Sequence, residues 1–362
     1  MSATRSNTSF DTYKLKGLSR KCGFDRWRYV FSGYHSYTGD KAFFFIELFV
    51  INPAISPDTI QCKKPQPLTG SLDTSLLLAN QNDCPLSSYI SLKVGVYGKN
   101  PQVYEALYPA KDFIATKKEI SIKDGAFISN FRSLKGNIRA DNVFVNWNLN
   151  LEKESSFYPK KLQKDMNWIV SGVRTLLAGE ITIQDDVYIV SPSTSYGYID
   201  KMWGKNYPLP FFHLSCSHLR SMISGKVLNS SCFAVQGMYK ESFAFFMELN
   251  TGDENIKLAN SKAPKNYRFS CVPVDDTLHW SISLEYHGYL LDIDVFSKTN
   301  NMFVRSYTCP SDPADELQIL GGASGNGELR LYKRAGKNIE MIEQVKLEDV
   351  CCEYGGIEHI SE

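Results

Sequence analysis

The chain has almost no helical periodicity, since apolar residues seldom recur at the three-and-four spacing that an amphipathic helix needs. Only 101–110 (PQVYEALYPA) and parts of 70–80 fit short helices, with Pro101 suited to a first turn. No hydrophobic run approaches the length of a bilayer span, so stable membrane insertion is not expected. The opening MSATRSNTSFDTYK has no apolar h-region, which gives the sequons at Asn7 and Asn229 little weight. Charge of one sign is missing too: 40 Lys and Arg against 39 Asp and Glu leave +1. No long-range field therefore recruits nucleic acid or an anionic surface. The nine cysteines, an odd number, contain no CxxC pair, and the adjacent Cys351 and Cys352 cannot easily bridge within one strand. Reduced thiols and a cytoplasmic location are the expectation. The nucleophile elbow GxSxG is absent, which removes support for a Ser-His-Asp hydrolase. The glycines of GGASGNGE (321–328) lead into ELRLY with no helix after them, so they read as a hairpin turn and not as a dinucleotide fingerprint. No cofactor is expected.

What the chain does have is aromatic side chains, with 21 Phe, 20 Tyr and 5 Trp. Rings and β-branched residues suit a pleated, half-buried surface, and they can also line an apolar cavity. Period-two runs at 43–51 (FFFIELFVI), 89–97 (YISLKVGVY) and 143–149 (VFVNWNL) read as strands. Around His287-Gly288, Leu278, Trp280, Ile282 and Leu284 share one face before the turn, and Leu291, Ile293 and Val295 share one after it. That is a hairpin pattern with one apolar and one wet face. Polar breaks fall at 52–67, 150–167 and 251–266. FFFIELFVINP (43–53) and AFFMELNTGD (244–253) repeat an aromatic strand, a Glu and a polar turn, a faint sign of two similar halves. At 362 residues two domains are the natural division. The one local basic stretch holds Lys14, Lys16, Arg20, Lys21, Arg26 and Arg28 with interleaved Phe24, Trp27 and Tyr29. A solvated first strand is the reading preferred there over a base-stacking surface.

The densest chemistry lies in YGYIDKMWGKNYPLPFFHLSCSHL (196–219), where Asp200, Lys201, Trp203 and Gly204 crowd into five residues. Together with FDRWRYVFSGY (24–34), FFFIELFVINP, MNWIVSGVRTLLAGEI (166–181) and GELRLYKRAG (327–336), it resembles the tocopherol cyclase-like family, related to the AttH-like and carotenoid 1,2-hydratase proteins. The specific part is Tyr198, Asp200, Trp203, Gly204, Tyr207 and Pro208. The resemblance implies an all-β chain of two lipocalin-like antiparallel β-barrel domains packed against each other, with few short helices. On this reading the domains run 1–188 and 189–362, the second carrying the motif at its start. It also implies a pocket near the motif, a hydrophobic, isoprenoid or lipid-like small molecule as partner, and chemistry in which an alkene is protonated and the cation captured. One departure is Phe211-Phe212-His213, where the family usually has a WFW-type strand.

Alkene protonation needs an acid kept protonated by desolvation and aromatic faces to hold the cation. Asp200 is the candidate acid, Tyr198 and Trp203 the cation stabilisers, and Tyr207 a group that could orient the acid. A local cap or salt bridge is the competing role for Asp200. Strand alternation sends Tyr198 and Asp200 to one face and Lys201 and Trp203 to the other. Glu47, on a face shared with Phe43, Phe45, Phe49 and Ile51, is either aimed into a barrel or paired with an arginine such as Arg26, Arg28 or Arg174. Asn146 and Asn148 flank Trp147 and either offer amides inside the first barrel or face water. Phe212 and His213 complete the candidate ligand-binding set. His213, Cys216 and His218 suggest a metal by composition, but 213 differs in parity from 216 and 218, and no metal site is expected. The resulting reading is a binder of a hydrophobic ligand near 196–213. An acid-catalysed cyclase, hydratase or isomerase and a ligand-free interaction module are the alternatives, and oligomeric state is not legible.

Overall fold

The computed structural model describes residues 11–62, 86–98, 100–140, 142–159, 166–207, 211–238, 242–252, 254–260, 266–312 and 316–355. The first sheet contains β1 (Phe24–His35), β2 (Lys41–Ile51), β3 (Tyr89–Tyr97), β4 (Gln102–Tyr108), β5 (Phe113–Ala115) and β6 (Glu119–Ile122). It continues through β7 (Phe127–Asn130), β8 (Ser133–Ala140), β9 (Val143–Phe157), β10 (Met166–Ile183), β11 (Asp186–Val190) and β12 (Gly197–Gly204). The second contains β13 (Phe211–Cys216), β14 (His218–Ser221), β15 (Cys232–Met238), β16 (Ser242–Asn250), β17 (Asn255–Asn260) and β18 (Asn266–Val274). β19 (Thr277–Tyr286), β20 (Tyr289–Lys298), β21 (Phe303–Thr308), β22 (Glu316–Ala335) and β23 (Asn338–Gly355) complete it. Helix among the described residues is confined to short 3₁₀ turns such as Gly17–Arg20. The all-β class with barrel-like antiparallel sheets is thus what the sequence led us to expect.

Strands run β4-β3-β2-β1-β11-β10-β9-β8-β7-β6-β5 in the first sheet and β17-β16-β15-β13-β23-β22-β20-β19-β18 in the second. Each curls on itself. β4 packs against β8. In the second sheet the Tyr286 hydroxyl donates to the Ala259 carbonyl, and Phe212 stacks on Phe269 with ring centroids 3.9 Å apart. Alternation then separates three apolar layers. Trp27, Tyr29, Phe31, Ile46, Leu48 and Trp147 fill the first barrel. Phe212, Leu214, Trp280, Ile282 and Leu329 fill the second. Phe24, Val30, Phe45, Phe49, Trp168 and Tyr198 meet Phe211, Phe246, Tyr307 and Ile319 between the sheets.

That middle layer requires close approach. Gly95 faces Phe45 across β2 and β3, and a Cβ built on it would lie 1.8 Å from the ring. Gly95→Ala is expected to cost about 1–3 kcal/mol in urea unfolding, because the ring cannot stay where it packs against the second sheet's Phe303. An unchanged midpoint would show that Phe45 repacks freely.

Several expectations change. Residues 102–108 form the edge strand β4, registered on β3 from Gln102 opposite Val96 to Tyr108 opposite Ile90; pairing with the neighbouring strand outweighs a weak helical pattern. The other expected helix, 70–80, lies outside the described residues, as do 63–67 of the 52–67 excursion. β9 runs on through the expected break at 150–167 as far as Phe157: Leu151, Ser155 and Phe157 are buried, while Glu152 and Glu154 are its wet face. The 251–266 break contains β17. GGASGNGE is not a turn but the bulged middle of β22. A Cβ on Gly327 would sit 1.9 Å from the Asp294 carbonyl oxygen, so only glycine lets β22 lie this close to β20. The hairpin at His287-Gly288 is present, with φ of 51° and 81°, both positive as a tight turn of this hand requires. The basic first strand is not solvated: Arg26 and Arg28 are fully buried. The motif strand β12 pairs with β1 and β10 in the first sheet, so the chain crosses between sheets after Gly204 and not at 188–189.

Candidate functional site

β1 lies between β2 and β12, with Glu47, Arg28 and Asp200 in one row across the three strands. All three side chains face the second sheet. There, His213 on β13 stands between Gln236 of β15 and Glu353 of β23. The two polar rows meet in the middle of an otherwise apolar layer. Arg28 donates to Asp200 from Nε at 3.1 Å and from Nη2 at 2.7 Å, and Arg26 adds a longer bond at 3.4 Å. Tyr198 OH and Trp168 Nε1, each at 3.2 Å, complete the donors around this carboxylate. Glu353 is shared by Arg28 and Arg305. Glu47 accepts from Tyr307 at 2.8 Å and lies 3.3 Å from Arg305 and 3.6 Å from Arg26.

All six charged groups are fully buried, and the three arginines balance the three carboxylates. Burial alone would raise the Asp200 pKa, but Arg28 and Arg26 outweigh it and hold the carboxyl at about 2. Glu47 is likewise lowered, burial being overcome by Arg26, Arg305 and Lys93. His213 goes the other way: burial, reinforced by Arg28, keeps its imidazole well below the usual range and therefore neutral. Its Nε2 lies 3.0 Å from Ser215 Oγ, and its Nδ1 has no hydrogen-bond partner.

Asp200 is therefore an ionised, multiply bonded carboxylate, which is the salt-bridge role and the opposite of a proton reserve. Tyr198 joins it. Trp203 does not: it shares the face of Lys201, half-exposed, with Lys201 Nζ 5.7 Å from its ring. Lys201 points into the first barrel, pairs with the buried Asp25 and sits 3.4 Å from the Trp27 ring centroid. Burial pushes this lysine down to about 8 against the pull of Asp25. Glu47 is paired, but with Arg305 as well as Arg26; Arg174 pairs with Glu154 instead. Asn146 and Asn148 are on the exposed face of β9, while Trp147 is first-barrel core, so none of these three reaches the middle layer. Phe212 has the parity opposite to His213 and fills the second barrel. Tyr207 stacks on Phe24 at 4.5 Å and borders the middle layer. Cys216 is buried in the second barrel, and His218 lies apart between Glu348 and Asp349. Among the described residues no group of three or more His, Cys, Asp or Glu could hold a metal.

Sequence reasoning missed Arg305, Glu353 and Tyr307, which come from strands far along the chain. The only available signal was a charged residue in a strand of buried parity.

A narrow cleft leads from the surface to this network. It is lined by Val30, Phe43, Val173, Tyr196, Tyr198 and Ser215, among others. Its mouth is crossed by Lys41 of β2 paired to Asp349 of β23, and by Tyr196 stacked on His218 at 4.2 Å.

No family model matches the chain, and no curated protein does. Solved structures similar to it include the following two. One is an AttH-like protein from Nitrosomonas europaea, with 11% identity, a TM-score of 0.46, and coverage of 96% of this chain and 97% of that one. The other is kievitone hydratase from Nectria haematococca, with 11% identity, a TM-score of 0.42, and coverage of 94% and 93%. No helix among the described residues is long and apolar enough to cross a membrane.

Proposed function

We propose that the protein binds a small amphipathic molecule in the cleft between the two sheets, beside the 196–213 segment. The observation that carries this reading is the lining of that cleft. Apolar and aromatic walls from Val30, Phe43, Val173 and Tyr196 converge on a few fixed hydroxyls, the usual composition of a small-molecule site. Asp200 enters as the support of Tyr198. Held ionised, it has no proton to give an alkene, so acid catalysis from this residue is not part of the reading.

The test uses the neutral apolar dye phenylnaphthylamine, with Ser217→Trp as a variant whose indole fills the cleft. Wild-type protein is expected to enhance the dye's fluorescence saturably. Ser217→Trp, with an unchanged melting temperature, is expected to weaken binding at least tenfold. Phe131→Trp, at the separate cleft on the first barrel, serves as the control. Equal binding by wild type and Ser217→Trp would place the dye elsewhere and remove the cleft from consideration.

A further inference from the structure

We infer that the ligand of this cleft ends in a hydroxyl group, an alcohol or phenol, and not in a carboxylate, phosphate or ammonium. The inference rests on the cleft being the binding site and names the chemistry of its floor.

Asp349 and Ser217 also line the cleft, Asp349 being held by Lys41 and His218; the polar groups on the side of the buried network are the hydroxyls of Tyr198 and Ser215, with the Cys351 thiol beside them. Tyr198 commits its proton to Asp200 Oδ2 at 3.2 Å. Towards a ligand it can therefore only accept. Ser215 Oγ is tied to His213 Nε2 at 3.0 Å. A neutral imidazole carries one N–H. If that proton is on Nε2, His213 donates to Ser215 and the serine hydroxyl is free to donate into the cleft. If it is on Nδ1, the serine donates to His213 and offers only a lone pair. The unpartnered, fully buried Nδ1 favours the first tautomer, because a bare lone pair there costs less than a stranded N–H.

The floor thus presents one acceptor, Tyr198, beside one donor, Ser215. A hydroxyl satisfies both at once, donating to the first and accepting from the second. A ketone can only accept, which leaves Tyr198 unmet. A carboxylate or phosphate would face the Tyr198 lone pair with no free cation to neutralise it, since Arg28 is spent on Asp200 and Glu353, Arg305 on Glu47 and Glu353, and Lys41 at the mouth on Asp349. An ammonium finds no free carboxylate either: Asp200, Glu47 and Glu353 are held by the arginines, and Asp349 by Lys41 and His218. Desolvating an ion with no counter-charge is far more costly than desolvating a hydroxyl. The charges of the middle layer therefore act on specificity indirectly: by cancelling one another they leave a floor that is polar and neutral.

The experiment compares naphthylethanol, naphthylacetate and naphthylethylamine, which share a fluorescent ring and differ in the terminal group. The alcohol is expected to bind at least tenfold more tightly than the anion or the cation. Ser215→Ala should weaken the alcohol about fivefold and leave the other two unchanged. Equal affinities, tighter binding of the acid or amine, or binding of none of the three while phenylnaphthylamine still binds, would each overturn the hydroxyl assignment and leave the cleft in place. Loss of phenylnaphthylamine binding as well would remove the cleft reading itself.

Discussion

Asp200→Asn will destabilise the fold by on the order of 3–5 kcal/mol in chemical unfolding, the cost of removing one partner from a buried ion pair. The side chain keeps its shape, so the loss comes from charge. Arg28 retains Glu353, and Arg26 retains Glu47, but the buried layer then holds three guanidinium ions against two carboxylates where solvent screening is weak. The same balance makes the fold acid-sensitive. Asp200 titrates near 2 in the folded chain and near 4 when unfolded. Because the folded value is the lower, its contribution is fully present above about pH 4 and is lost as pH falls towards 2. That contribution is on the order of 2–3 kcal/mol for a shift of this size, and Glu47, also lowered, acts in the same direction. Unfolding free energies measured from pH 6 down to pH 2 should therefore fall more steeply for wild type than for Asp200→Asn. Parallel pH profiles for the two proteins would mean that the carboxylate is not held by the arginines as described.

Lys201→Met is expected to cost a similar amount, also on the order of 3–5 kcal/mol, but for a different arrangement. Lys201 and Asp25 form a buried pair inside the first barrel, supported by the Lys14 amide at 2.7 Å from the Asp25 carboxylate and by the Trp27 ring. Burial pushes Asp25 up and Lys201 down, so both members are drawn towards neutrality. Such a pair gains little over an apolar replacement of the same volume, while either member left alone is costly. The double variant Asp25→Leu with Lys201→Met should consequently recover most of the stability lost by the single change. No comparable rescue is expected at Asp200, where two arginines, a tyrosine and an indole share one carboxylate. A double variant as unstable as the sum of its single changes would show that the two residues act independently.

The strand pattern was legible because alternation is local. Once 43–51 and 143–149 are strands, the parity of Glu47, Trp147, Asn146 and Asn148 is fixed by the pleat. The same rule correctly parted Asp200 from Lys201 and Trp203. It failed where pairing with a distant strand overrode a local cue: Gln102–Tyr108 became an edge strand, and the glycines of β22 became a bulge. It also could not say which side of a strand is wet. β1 has a barrel on one face and a second sheet on the other, so its arginines, which look like a solvated stripe in sequence, are among the most buried groups in the molecule.

Residue type and parity along the chain thus determined the all-β class, the hairpin at 287–288 and the common face of Tyr198 and Asp200. Only the tertiary structure decided what that face meets. Arg28 lies 172 residues before Asp200 in the chain, and Arg305 lies 258 residues after Glu47. An acid's protonation state is set by charges within a few ångströms, whatever their distance in sequence. Asp200 carries the residue type of a catalytic acid, and the packing of two sheets makes it an anchor.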